Sequence, residues 1–294
     1  MSTRRMQSFA ALLVVGFVTT IAIFMFAQYT DSMQQSGNYL SLTMHQVYVI
    51  GQRNSTNRRW MMARQMEFQG IPFAFARPVT AADIDHPEKY MRWVGEEEWK
   101  AVPQNRTLSS EDLAAYRTHM NVINDVIRLE YKSALVLDNL VDMEVDIKDQ
   151  MRDLVEVLPK TWDIVYVGHC GHNNKRPTAF AKNVFVSTRP ECTYAYAVSQ
   201  QGARRLKRAL DNIWPNPRVP FDQELIKMVE PEYLEAYSVE PPLFALVRPA
   251  RRQGTVRHGS VTHLLHNSTL NWMGRPSLYA LLEQQRFNKI NGKA

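Results

Sequence analysis

The sequence predicts an α/β domain with a mostly parallel sheet flanked by helices, preceded by a single membrane-spanning helix. Three observations predict it. Residues 134–137, 162–167 and 194–198 are short apolar runs separated by helical patterns, and such runs read as strands buried on both faces, joined in parallel by the helices between them. The first run passes abruptly into acids, Asp138, Asp142, Glu144, Asp146 and Asp149, at the strand end where ligands of open α/β sheets bind. Residues 9–27 form an apolar stretch without a charge.

That stretch spans about 28 Å as a helix, the thickness of a bilayer core. It exceeds the apolar core of a signal peptide, and no cleavage motif follows it. Arg4 and Arg5 precede it and the next basic residue is Arg53. The positive-inside bias therefore predicts a cytosolic tail over 1–8, a signal anchor over 9–27, a polar stem over 28–44 and a lumenal domain over 45–294. Three sequons, at Asn54, Asn105 and Asn267, suit glycan attachment in the secretory pathway, at the Golgi or endoplasmic reticulum membrane. The two cysteines, Cys170 and Cys192, either remain buried thiols or pair in an oxidising lumen, where closing the loop would stabilise the fold by about 3 kcal/mol. The 294-residue chain has a net charge of +6, with scattered basic residues, a pattern that does not suggest a nucleic-acid partner.

The lumenal elements follow in order. Residues 47–50 read as a strand, followed by a helix through 60–62 that stops at Gly70, and a strand at 72–76. Ser109 and Asp112 open a helix to about 131 with Leu113, Tyr116, Met120 and Ile123 on one face. That helix leads into the central strand. After the acids, a helix over 149–157 stops before Pro159, the strand at 162–167 opens into a Gly-His-Cys-Gly-His stretch at 168–172, and Ser199 caps a basic helix after the strand at 194–198. The 168–172 spacing is not that of a structural zinc motif. The acids are either a solvated loop or a cluster for a hard divalent cation bridging phosphates.

The order of YVI and NRR, TLSSEDLAAYRTHMNVI leading into SALVLD, TWDIVYVGHCG, CTYAYAVSQQGARRL, FDQEL and VEPPLF resembles glycosyltransferase family 25, which includes lipopolysaccharide sugar transferases and collagen galactosyltransferases, and most resembles its fungal members. The resemblance covers 47–244. It implies a GT-A fold, a UDP-galactose-type nucleotide-sugar donor, often Mn²⁺, and inverting transfer of a hexose to a hydroxyl of a glycan or glycoprotein.

By position, Asp138, Asn139 and Leu140 stand where the family has Glu-Asp-Asp, with Asp142 and Glu144 as the remaining acids for metal. Arg58 and Arg59 match the donor-binding basic pair, while Asn57 replaces an aspartate. A glycan on Asn54 would sit at the donor mouth. His119 is either a packed helical histidine or catalytic. Asp222 is either a helix cap or the general base near the acceptor. Asp163 and Glu224 are further acids carried by the matching segments. The altered acidic motif leaves two expectations, an active transferase and a pseudoglycosyltransferase retained as a glycan-binding or complex-stabilising subunit.

Overall fold

The computed structural model describes residues 42–51, 55–88, 102–103, 105–170, 176–247, 265 and 267–273. The predicted tail, membrane span and most of the stem, together with Arg53, Asn54, Gly171 and His172, lie outside the described residues. Among the described residues no helix is long and apolar enough to cross a membrane.

The elements are β1 (Gln46–Ile50), α1 (Thr56–Gln69), β2 (Ala74–Phe75), α2 (Ala81–Asp85), α3 (Ser110–Arg128), β3 (Ser133–Asp138), β4 (Val141–Met143), α4 (Ile147–Val157), β5 (Ile164–Gly168), β6 (Arg176–Pro177), β7 (Val184–Val186), β8 (Ala195–Ser199), α5 (Gln200–Ile213), α6 (Phe221–Val229), β9 (Ala236–Val239), β10 (Phe244–Leu246) and α7 (Thr269–Trp272). Local chemistry sets several of the boundaries. Ser109 and Ser199 accept the backbone N–H of Asp112 and Gly202 at the starts of α3 and α5, and Gly70 ends α1 in the left-handed region at φ 59°.

The main sheet has the order β2-β1-β3-β8-β5-β9-β7-β6. Its pairings make six of the eight strands point one way, with β8 and β7 reversed. The reversed β8 lies between β3 and β5, where the succession of strands and helices led one to expect parallel pairing. The reason is the connection. Between β5 and β8 the described chain contains the short strands β6 and β7 rather than a crossover helix, so it re-enters the sheet from the end it left.

The unbroken apolar runs are explained by two covered faces. Val136, Tyr166, Tyr196 and Val198 pack in the layer of α3, α5 and α6, while Leu135, Leu137, Val165 and Val167 pack on the other side with α1 and α4. Leu42 and Met44, at the end of the predicted stem, are buried in that second layer. Alternation continues to the strand ends. Ile50 packs on the α3 face with Tyr48, and Asp138, two residues beyond Val136, falls on that same face.

α5 is seated closely against the beginning of β5. A Cβ at Gly202 would stand 2.1 Å from the Asp163 carbonyl oxygen and 2.7 Å from its carbonyl carbon, neither of which is a movable side-chain tip. Gly202→Ala is therefore expected to cost about 1–3 kcal/mol, measured as a lower denaturation midpoint at unchanged slope; an unaltered midpoint would show that α5 slides freely.

Candidate active site

Two cavities open at the ends of β1 and β3. The larger, about 780 Å³, is lined by Ile50, Gly51, Arg58, the 78–82 turn, Glu111, His119, Asp138, Asn139 and Leu140, a volume suited to a small-molecule ligand. The smaller, about 260 Å³, is lined by Ile50, His119, Asp138, the 191–194 segment, Asp222, Gln223 and Leu246. Ile50, His119 and Asp138 belong to both. They form the wall the two cavities share.

The sheet places each of the three. Ile50 and Asp138 are register partners on β1 and β3, and both side chains face α3, which carries His119. Asp138 Oδ1 accepts the Leu140 N–H at 2.8 Å and its own N–H donates to the Tyr194 carbonyl at 2.8 Å. His119 is stacked flat on Phe221, with ring centroids 4.2 Å apart and planes 4° apart, and its Nδ1 lies 2.9 Å from the Tyr196 hydroxyl. Burial pushes the His119 pKa down to about 3, so the ring is neutral at physiological pH.

The remaining candidates divide into those that reach the cavities and those that do not. Arg58, half-buried in the first turn of α1, lines the larger cavity. Arg59 does not line either cavity; its guanidinium carbon sits 3.7 Å from the centroid of the Phe75 ring. Asn139 lines the larger cavity, but its amide donates to Ser55 Oγ at 3.0 Å and leaves no room for a Cβ at Gly51, which would stand 2.1 Å from Asn139 Nδ2. It fastens the first loop to the end of β3. Asp222 lines the smaller cavity. It does not cap α6, because Pro220 occupies that position; its Oδ1 accepts the Gln223 N–H at 3.0 Å.

The expected metal set of Asp138, Asp142 and Glu144 is not assembled. Asp142 is 1% exposed and directs Oδ1 to the N–H groups of Met143 at 2.8 Å and Leu270 at 3.2 Å, while Oδ2 accepts the Ser268 hydroxyl. Glu144 Oε2 accepts the Asn267 N–H at 2.8 Å. β4 pairs with β10 in a separate two-stranded sheet, and Asp142 within it and Glu144 just after it clamp the chain at 267–270 against it. Burial, the largest influence, holds the Asp142 carboxyl above its ordinary range despite three hydrogen bonds that favour ionisation. Among the described residues no three His, Cys, Asp or Glu side chains gather into a group that could hold a metal.

Asp163 is also structural. It precedes β5 at the opposite end of the sheet and is fully buried, with Oδ2 accepting Arg205 and the Glu235 N–H. Glu224 is buried and paired with Lys227 at 3.1 Å. His169, in the Gly-His-Cys stretch, is 2% exposed with Nε2 3.1 Å from the Val239 carbonyl. Cys170 and Cys192 are joined in a disulfide, and Cys192 contributes to the smaller cavity, so the bridge ties that cavity's wall to the segment leaving β5. Asn105 is exposed. Asn267 is exposed as well, although its neighbours Ser268 and Thr269 are buried.

The site also contains residues that sequence reasoning passed over. Tyr166 and Tyr196 read as strand aromatics, yet both face α3 with buried hydroxyls, and Tyr196 holds His119. The available signal was their parity: each lies an even number of residues along its strand from others on the α3 face. Glu111 and the 78–82 turn carried no signal of their own.

Residues 44–224 match the family model for glycosyltransferase family 25 (LPS biosynthesis protein). Curated relatives include procollagen galactosyltransferase 1 of Danio rerio, 24% identical over 45% of this chain and 22% of that protein. Procollagen galactosyltransferase 2 of Mus musculus is 21% identical over 76% of this chain and 39% of that protein. The chain thus spans only about a fifth to two fifths of these relatives. Among solved structures, a glycosyltransferase involved in the glycosylation of the major capsid of PBCV-1 aligns over 62% of this chain and 74% of its own, at 11% identity and a TM-score of 0.36. With the family model matching over more than half of its length, the chain belongs to glycosyltransferase family 25.

Proposed function

We propose that this chain is a type II membrane glycosyltransferase with a lumenal GT-A-like domain, which transfers a hexose, galactose in the first instance, from a nucleotide-sugar to a hydroxyl of a glycan or glycoprotein with inversion. The observation that carries this reading is the pair of cavities meeting at Ile50, His119 and Asp138. A transferase must hold two substrates on either side of one reacting carbon. The larger cavity, with Arg58, takes the nucleotide-sugar, and the smaller one, with Asp222, takes the acceptor. The procollagen galactosyltransferases among the relatives favour galactose. The predicted signal anchor over 9–27 and the sequons support a location in the Golgi or endoplasmic reticulum membrane.

In this reading Asp222 accepts the proton of the acceptor hydroxyl as that oxygen attacks the anomeric carbon, and the diphosphate departs on the other side of the shared wall. Arg58 offsets its growing charge. Asp138 lies at the divide, placed to orient the hydroxyls of the sugar. Mn²⁺, which the resemblance implies, does not fit the donor set: Asp142 and Glu144 are spent on backbone N–H groups, and Leu140 offers no ligand.

Calorimetry on the full-length chain in detergent tests this. UDP and UDP-galactose are expected to bind with micromolar affinity whether Mn²⁺ or a chelator is present, and Arg58→Ala to weaken both by about tenfold or more. Binding that required Mn²⁺ would overturn the cation-free site. The diversion of Asp142 and Glu144 also favours a second reading, a pseudoglycosyltransferase acting as a glycan-binding or complex-stabilising subunit. Failure of every nucleotide-sugar to bind would select it.

A further inference from the structure

The shared wall holds a buried polar pair whose proton positions can be worked out. His119 Nδ1 and the Tyr196 hydroxyl are 2.9 Å apart. A neutral imidazole carries one proton, so either Nδ1–H donates to Tyr196, or Tyr196 donates to a bare Nδ1 and the proton sits on Nε2. The two arrangements present opposite chemistry to the cavities. In the first, Nε2 is an acceptor able to act as a base. In the second, Nε2–H is a donor and cannot take a proton.

Three observations decide between them. The Tyr196 hydroxyl is completely buried and has, among the described residues, no hydrogen-bond partner besides His119. Were Nδ1 the donor, the phenolic proton would be left unpaired in the interior, at a cost of about 1–3 kcal/mol. The nearby Tyr166 hydroxyl does not relieve it, since that oxygen is itself buried without a partner among the described residues. Finally, among the described residues His119 Nε2 has no hydrogen-bond partner, yet it is not among the sealed, unpartnered polar atoms, while the residue lines both cavities. Nε2 therefore opens to the cleft.

We propose that Tyr196 is a positioning residue that fixes His119 as the Nε2–H tautomer, so that His119 meets its ligand as a neutral hydrogen-bond donor to an oxygen of the nucleotide-sugar and takes no part as a base. Phe221, stacked flat on the ring, prevents the imidazole from swivelling away from this arrangement. The ligand half of the proposal rests on the transferase reading above. It leaves Asp222 as the group that accepts the acceptor's proton.

The test joins a spectrum with a titration, both on the full-length chain. With ¹⁵N-labelled histidine, and His119 assigned through His119→Gln, the ring nitrogens of the wild type are expected to report Nε2–H without protonation from about pH 5 to 8. Tyr196→Phe, which removes only the hydroxyl, is expected to move the Nδ1 resonance to that of a bare imidazole nitrogen with no donor, and to raise the dissociation constant of the nucleotide-sugar about tenfold. His119→Gln, which keeps an N–H at similar reach, should retain more affinity than His119→Leu. Loss shared by UDP and UDP-galactose would assign the oxygen to the diphosphate, and loss confined to UDP-galactose would assign it to the sugar. An Nδ1–H wild type, or a Tyr196→Phe variant whose Nδ1 resonance does not move, would overturn the proposal. So would an unchanged affinity in Tyr196→Phe where the wild type binds. If the wild type binds no nucleotide-sugar, the transferase reading falls, and the spectrum alone still decides the tautomer.

Discussion

Asp222→Asn is expected to lower the rate of sugar transfer by about 100- to 10,000-fold, the range a positioned general base contributes. The amide keeps the shape of the side chain and its reach into the smaller cavity, but it cannot take the hydroxyl proton. Two accompanying results separate this from damage to the fold. Asp222 is half-exposed, and the bond of its Oδ1 is to the neighbouring Gln223 N–H, which the amide oxygen can still accept, so the melting temperature should hold. Asp222 lines the smaller cavity and not the larger, so donor affinity should hold as well. A rate within about tenfold of the wild type, measured by release of UDP in the presence of acceptor, would mean that another group takes the proton.

Asp142→Ala should destabilise the chain by about 3 kcal/mol or more, because it strands the buried Ser268 hydroxyl and the N–H groups of Met143 and Leu270 together. Asp142→Asn should be far milder. Its amide oxygen can accept the two N–H groups, and its NH₂ can donate to the Ser268 oxygen once that hydroxyl turns. If Asp142 were a metal ligand the order of effects on activity would differ, with the amide variant nearly as inactive as the alanine one. In the clamp, Asp142→Asn keeps both nucleotide-sugar binding and turnover.

The pH dependence of that pair has a definite sign. Burial raises the Asp142 pKa, assisted by the nearby Glu144. Over the window between the ordinary carboxyl range and the raised value, the folded chain keeps a proton that the unfolded chain has released. Stability from this group is therefore present at low pH and is lost as the pH rises through the raised pKa. Asp142→Asn, which stays neutral, removes this contribution. Chemical denaturation across that window should show the wild type losing ground to the amide variant as the pH increases, and parallel curves would contradict the assignment.

Much of the fold was legible because its causes are local. Ser109, Ser199 and Gly70 end or begin helices through hydrogen bonds to residues three or four positions away. The apolar runs at 134–137, 162–167 and 194–198 were strands because a segment covered on both faces admits no polar alternation. The direction of β8 was not legible. It depends on where the chain travels between β5 and β8, and strand composition is the same for either direction.

The candidate site was legible in part for the same reason. Asp138 was found because it ends a recognisable strand, and the resemblance pointed to Arg58, His119 and Asp222. What the sequence by itself determined is the alternation of strands and helices, the strand end where the cavities open, and the pair of cysteines. The tertiary structure alone decided which acids face a cavity and which face backbone. In the sequence Asp138 and Asp142 are equivalent carboxylates four positions apart, but Asp142 meets Ser268, 126 residues away, and His119 meets Tyr196, 77 residues away. A carboxylate or an imidazole takes its chemistry from what its polar atoms touch. Contacts so distant along the chain exist only once the sheet has brought them together.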